Sequence, residues 1–343
     1  RISITAQGPA GAFYGIQTLR QLIKENGISV PCCRIDDAPN FPYRGFYHDI
    51  SRGRVCRLET LKKIADMLSY FKMNSLQLYV EDAFTFKELE GIATEENALT
   101  PEEILELDEY CYNRFIDLVP SLATFGHLFT LLQSDRYYEI SELGRHKMTR
   151  NYWLERQWHH TVDVYNPKTI QVIGSMLEQY IPLFRSKYFN ICCDETLDLC
   201  SGKNQGKDKG DAYFHHLDKL IEIVKFQGKT PMIWGDECMA RPETAKERVP
   251  KDTIILNWCY HKNVGEWIPK FYYDLGFQQI VCPGTSCWDN FVENVDISTG
   301  NISAFAAHAK KYGALGILNT NWGDFGHICP FNCNLYGALF GAQ

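Results

Sequence analysis

The chain has 343 residues, 45% of them hydrophobic and 22% charged, which is enough for one large α/β domain or two medium ones. Its 35 basic and 42 acidic side chains leave a net charge of −7, the reverse of a nucleic-acid footprint. No stretch approaches the ~18 uninterrupted apolar residues of a membrane span, and the N-terminus lacks the basic-then-apolar order of a signal peptide.

In chain order, RISITA (1–6) reads as a strand and AFYGIQTLRQLIK (12–24) as a helix, after which Pro31, Pro39 and Pro42 break the pattern. Residues 1–43 therefore read as the C-terminal remnant of a small α+β domain, and 44–343 as a second unit. From Arg44 onward, short apolar strands alternate with amphipathic helices. Strand candidates fall at 45–51, 75–80, 117–124, 188–193, 231–236, 253–258, 279–284 and 314–320. Between them, stretches such as 58–71, 169–184, 212–226 and 302–312 carry apolar residues at helical spacings of three and four. Eight strands in βα alternation predict a (β/α)8 TIM barrel. The closing NLYGALFGAQ reads as a helix, so the barrel is expected to be truncated there. An open doubly wound sheet is the alternative, but it would want a glycine-rich phosphate loop after an early strand, and the sequence has none.

The 13 cysteines are odd in number and irregular in spacing, and Cys192, Cys193, Cys259 and Cys282 sit inside apolar runs. They read as buried free thiols, which fits a reducing compartment and a cytoplasmic location. The adjacent pairs Cys32/Cys33 and Cys192/Cys193 lack zinc-site spacing, so no metal site is expected.

In such a barrel, function gathers at the C-terminal ends of the strands. These ends supply His48, Asp49 and Arg52; Glu81 and Asp82; His127; Asp194 and Glu195; Trp234, Asp236 and Glu237; Trp258 and Tyr260; Trp288 and Asp289; Trp322 and Asp324. Taken singly, each has a bland reading: a solvated strand-end carboxylate, a core histidine, a packing tryptophan. Their recurrence at one end of the sheet weighs against it. An acidic, aromatic crater without a phosphate cradle suits a neutral sugar and acid-catalysed glycoside cleavage. Because successive strand residues point to opposite faces, Asp194 and Glu195 need a bend to converge on one substrate.

The order of these pieces resembles glycoside hydrolase family 20, the β-N-acetylhexosaminidases, from about Arg44 to Trp322-Gly323-Asp324. Residues 11–43 resemble the end of the family's preceding non-catalytic domain. RGFYHDISRG resembles the strand whose arginine holds sugar hydroxyls, which implies that role for Arg52. SLQLYVEDAF and VPSLATFGH resemble segments whose aspartate and histidine pair, here Asp82 and His127. FNICCDE resembles the catalytic strand ending in Asp194-Glu195. IWGDE, ILNWCY and NTNWGD resemble segments supplying pocket tryptophans and a carboxylate, here Trp234, Trp258, Trp322 and Asp324. Three departures stand out. Cys192 and Cys193 replace two glycines, Ala83 replaces a second aspartate, and PGTSCWDNF lacks the tyrosine that holds the acetamido oxygen. Trp288, Asn290 and Tyr260 are the candidates for that last role.

The resemblance implies a retaining exo-β-N-acetylhexosaminidase acting on terminal N-acetylglucosamine or N-acetylgalactosamine. The substrate's own acetamido group would be the nucleophile, passing through an oxazolinium. Glu195 would be the acid, Asp194 would hold the acetamido N–H, and no cofactor would be needed. The expected partner is a glycan, not a nucleic acid or a membrane. The open alternatives are a glycan-binding barrel without catalysis, a fragment that needs a missing domain, and a double-displacement glycosidase.

Overall fold

The computed structural model describes residues 1–145 and 152–342. Eight parallel strands close into a barrel in chain order: β1 (Tyr43–Asp49), β2 (Ser75–Val80), β3 (Asp117–Leu122), β4 (Tyr188–Asn190), β5 (Thr230–Trp234), β6 (Ile254–Trp258), β7 (Gln278–Cys282) and β8 (Gly316–Asn321). β8 pairs back onto β1, so the (β/α)8 expectation holds and the open sheet is excluded. The long helices between strands bury an apolar stripe against the barrel. Helix Leu58–Tyr70 turns Leu58, Leu61, Ile64, Ala65 and Leu68 inward. Each buried Leu or Ile there contributes roughly 1.5–3 kcal/mol. Among the described residues, no helix is long and apolar enough to cross a membrane.

Interior contacts fix which face of each strand is which. The Tyr47 hydroxyl lies 2.9 Å from Ser121 Oγ, and Asn190 Nδ2 donates to Gln77 Oε1 at 3.2 Å. The Trp234 and Tyr47 rings meet edge-on at 5.2 Å. Odd positions on β1, β2 and β3, and even positions on β4 and β5, therefore face inward. This alternation aims Asp49 and, carried just past β2, Glu81 into the mouth of the barrel and turns Asp82 away.

Two expectations need correction. Residues 1–6 are exposed and form no strand; with no neighbouring backbone to pair with, an isolated extended segment gains nothing from β geometry. β4 stops at Asn190 rather than at 193, because the backbone turns left-handed just beyond it.

Candidate active site

The site is built around that early stop. Cys192, Cys193 and Glu195 have φ of 58°, 69° and 46°. Left-handed geometry costs L-residues roughly 1–2 kcal/mol each. Hydrogen bonds hold the turn from several sides. Thr124 Oγ1 donates to Ile191 O (2.6 Å), the Trp234 N–H to Cys192 O (3.0 Å) and the Tyr213 hydroxyl to Cys193 O (2.9 Å). The Glu195 N–H donates to Asp236 Oδ2 at 3.0 Å. This is the bend that lets consecutive carboxylates face one space.

His127 joins them. Its Nε2 is 3.4 Å from Asp194 Oδ2 and 3.5 Å from Glu195 Oε2. Gly126 makes the approach possible, since a Cβ there would lie 2.8 Å from the Asp194 carbonyl oxygen. The His127 backbone N–H donates to His160 Nδ1 at 2.7 Å, and the two rings stack in parallel with centroids 4.8 Å apart. Burial drives the His160 pKa far down, so its ring stays neutral. Burial also opposes a charge on His127, but the adjacent Asp194 outweighs it and raises that pKa.

Burial pushes the Glu195 carboxyl up, Asp194 adds to the effect and His127 opposes it. The Glu195 side chain is nevertheless 43% exposed, so it reaches the open mouth. Asp194 is 12% exposed, and its Oδ1 is buried with no hydrogen-bond partner. Asp236 is pushed up to about 7, first by burial and then by Asp194. Ligand atoms of His127, Asp194 and Glu195 lie within 4.8 Å of one another, close enough to hold a cation.

Arg52 organises the opposite side of the mouth. It lies 3.5 Å from Asp49, 3.2 Å from Glu81 and 3.4 Å from Asp324, and 3.3 Å from His127 Nδ1. Its guanidinium sits over the Tyr79 and Trp322 rings at 5.0 and 5.2 Å. The expected Asp82–His127 pair does not form. Asp82 accepts from Thr130 Oγ1 at 2.6 Å, outside the barrel. Glu81 faces inward in its place, accepting from the Tyr79 hydroxyl (3.0 Å) and pairing with both Arg52 and Arg156. Burial disfavours its charge, but the two guanidiniums prevail and lower its pKa.

Aromatic side chains floor and wall the crater. Trp322 packs against Tyr47, Tyr79 and Trp234 at 4.9, 5.3 and 5.7 Å. Trp234 is only 1% exposed, so it supports the floor from beneath instead of forming a wall. Partly exposed Tyr260 accepts the Trp322 indole N–H at 2.7 Å, with Trp258 stacked on it at 5.3 Å and Trp288 edge-on at 4.9 Å. Asn290 is turned back onto the Trp288 carbonyl. Among the other strand-end residues, Asp49 caps the Ser51 and Arg52 amides, and burial pushes His48 down to about 3. Sequence reasoning passed over Arg156 and His160, and named Glu81 and Asp236 as strand-end carboxylates without a role. Strand alternation was the available signal for Glu81; Asp236 opens a helix after β5, and Arg156 and His160 lie beyond any strand, where no such pattern applies.

Residues 41–321 match the model of the glycosyl hydrolase family 20 catalytic domain, and residues 1–38 that of the family's domain 2. A β-hexosaminidase of Porphyromonas gingivalis is 25% identical over 273 residues, covering 68% of this chain and 34% of that protein. A lacto-N-biosidase of Bifidobacterium bifidum is 21% identical, covering 72% of this chain and 22% of that protein. The chain thus spans about a third or less of these two relatives. In fold, it is similar to a chitobiase of Flavobacterium johnsoniae, with a TM-score of 0.76 and 23% identity over 97% of this chain and 52% of that one.

Proposed function

Because the chain belongs to glycoside hydrolase family 20, we propose that it is a retaining exo-β-N-acetylhexosaminidase working by substrate assistance. The observation that carries the reading is the paired geometry at the end of β4. Asp194 keeps a buried oxygen without a partner in the protein, next to a half-exposed carboxyl whose pKa burial raises. An acetamido N–H satisfies the first, and a glycosidic oxygen takes the proton of the second. Asp194 then orients the acetamido oxygen toward the anomeric carbon and stabilises positive charge as the oxazolinium forms. The C–O bond to the leaving group breaks as Glu195 gives up its proton. Glu195, now a base, takes a proton from the water that opens the ring, restoring the acid with net retention.

Holding the nucleophile within the substrate is worth up to ~7–11 kcal/mol in well-oriented systems. Arg52 and Asp324 are the proposed contacts to ring hydroxyls, and Trp258, Trp288 and Trp322 the proposed walls. Tyr260 is the proposed clamp on the acetamido oxygen. Its hydroxyl accepts one N–H and so keeps its own proton to donate. Glu81 takes the role expected of Asp82. We retain 1–43 as the end of a non-catalytic domain and 44–343 as the catalytic barrel. The test is release of p-nitrophenol from aryl N-acetyl-β-glucosaminides and -galactosaminides, beside a lacto-N-bioside and a plain glucoside. Cleavage of N-acetylated substrates alone is expected. Equal cleavage of the plain glucoside would favour double displacement, and binding without cleavage a lectin-like barrel.

A further inference from the structure

Asp236 is a buried titratable group beside the acid that the proposed mechanism leaves unused. It follows β5, opens the short helix Asp236–Ala240 and has no contact with solvent through its Oδ1. Its Oδ2 accepts the N–H of Glu195 at 3.0 Å. Glu195 is also the last of the left-handed residues in the turn, with φ of 46°. An L-residue leaves that region unless something outside it fixes the peptide. The neighbouring turn residues are anchored through their carbonyl oxygens by the Trp234 amide and the Tyr213 hydroxyl. The tether on the Glu195 amide is Asp236, with the adjacent Thr196 hydroxyl reaching Glu237 at 3.3 Å.

We propose that Asp236 is a positioning residue: its carboxyl oxygen holds the Glu195 amide and so keeps the acid's backbone in the left-handed state that turns its side chain into the mouth. Without the tether, Glu195 relaxes to an ordinary backbone conformation and its side chain loses the direction that the turn gives it. The charges facing Asp236 fit this role. Asp194, Glu195 and Glu237 surround it, and with burial they favour its neutral form. In that form Oδ2 still accepts the amide N–H while the proton sits on Oδ1. The tether therefore survives protonation, and an amide side chain can imitate it.

The inference rests on Glu195 being the acid, so the experiment pairs a readout of geometry with one of chemistry. Asp236→Asn keeps an oxygen acceptor; Asp236→Ala removes it. In hydrogen-exchange mass spectrometry of the segment 191–197, Asp236→Ala is expected to lose protection at the Glu195 amide by ~10-fold or more, with Asp236→Asn near wild type. Unchanged protection in Asp236→Ala would overturn the tether whatever the activity. In kinetics, general acid help is typically worth ~10²–10⁴-fold. Asp236→Ala is accordingly expected to lose at least ~10-fold in kcat on aryl glycosides with poor leaving groups and little on activated ones, with KM nearly unchanged and rescue in Asp236→Asn. Equal loss across leaving groups, or no rescue by Asn, would reduce Asp236 to a structural residue. Wild type inactive on every glycoside would contradict the proposed function instead, leaving the exchange result to decide the tether.

Discussion

β2 and β4 belong to one barrel yet are built differently. β2 pairs over five residues with β1 and six with β3, and every one of its side chains is buried. β4 pairs at one position with β3 and at three with β5, then enters a run of left-handed residues. Where the ladder is complete, side chains make core. Where it is cut short, backbone strain is held by side-chain hydrogen bonds, and the freed chain delivers two consecutive carboxylates to one space. The barrel gives up pairing at the strand where the candidate site gathers.

Mutations at the two strands should therefore separate activity from stability. The largest effect is expected from Glu195→Gln, which keeps shape and removes the proposed acid. Activity on poor leaving groups should fall by about 10²–10⁴-fold, with the melting temperature close to wild type. A loss independent of leaving group would argue against Glu195 as the acid. Leu76→Ala on β2 should do the reverse. Leu76 is wholly buried, so unfolding free energy should drop by ~2–5 kcal/mol in chemical denaturation. Per folded molecule, kcat should be unchanged.

Asp194→Asn comes next. It removes the proposed charge-assisted hydrogen bond to the acetamido N–H, worth about 1.5–3 kcal/mol and seen chiefly in kcat, and azide should not rescue it. Azide rescue giving an inverted glycosyl azide would make Asp194 a covalent nucleophile. The smallest effect sharpens the contrast in backbone. Cys193→Gly should be more stable than Cys193→Ala by about 1 kcal/mol, because only glycine adopts that φ freely. At Leu76 the order should invert, with Gly below Ala. Alanine winning at both positions would remove the strained turn from the account.

A pH profile adds a direction. In the proposed mechanism activity needs the protonated Glu195, whose pKa burial raises, so the limb lost as pH rises should lie above the ordinary glutamate range. Asp236 has a raised folded-state pKa, so its contribution to stability is fully present below the unfolded value near 3.8 and is lost as pH rises toward about 7. Asp236→Asn should flatten that part of the stability curve. A curve unchanged from wild type would show Asp236 to be ionised throughout.

All eight strands were legible because each is a short apolar run between amphipathic helices, and periodicity survives without tertiary information. The β4 boundary was not, because Cys192 and Cys193 look like strand residues and only the hydrogen bonds from Thr124, Trp234 and Tyr213 show why they bend. Resemblance pointed to Asp82, whereas strand alternation turns Glu81 inward. Here a motif aligned by letter disagreed with the pleat, and the pleat decided. Trp234 was legible as a tryptophan at a strand end, but its depth beneath Trp322 depends on packing across the barrel. Arg156 and His160 come from a loop, where local sequence carries no geometry.

The central claim is that the nucleophile is the substrate's own acetamido oxygen, gripped through Asp194. Its most direct test is a series of aryl glucosaminides whose N-acyl group runs from acetyl to mono-, di- and trifluoroacetyl. Fluorine weakens the carbonyl oxygen as a nucleophile while changing the group's size little. The account predicts that kcat/KM falls steeply and monotonically along the series, by orders of magnitude from first to last. A flat series, with all four cleaved at similar rates, would contradict it and return the nucleophile to a carboxylate of the protein.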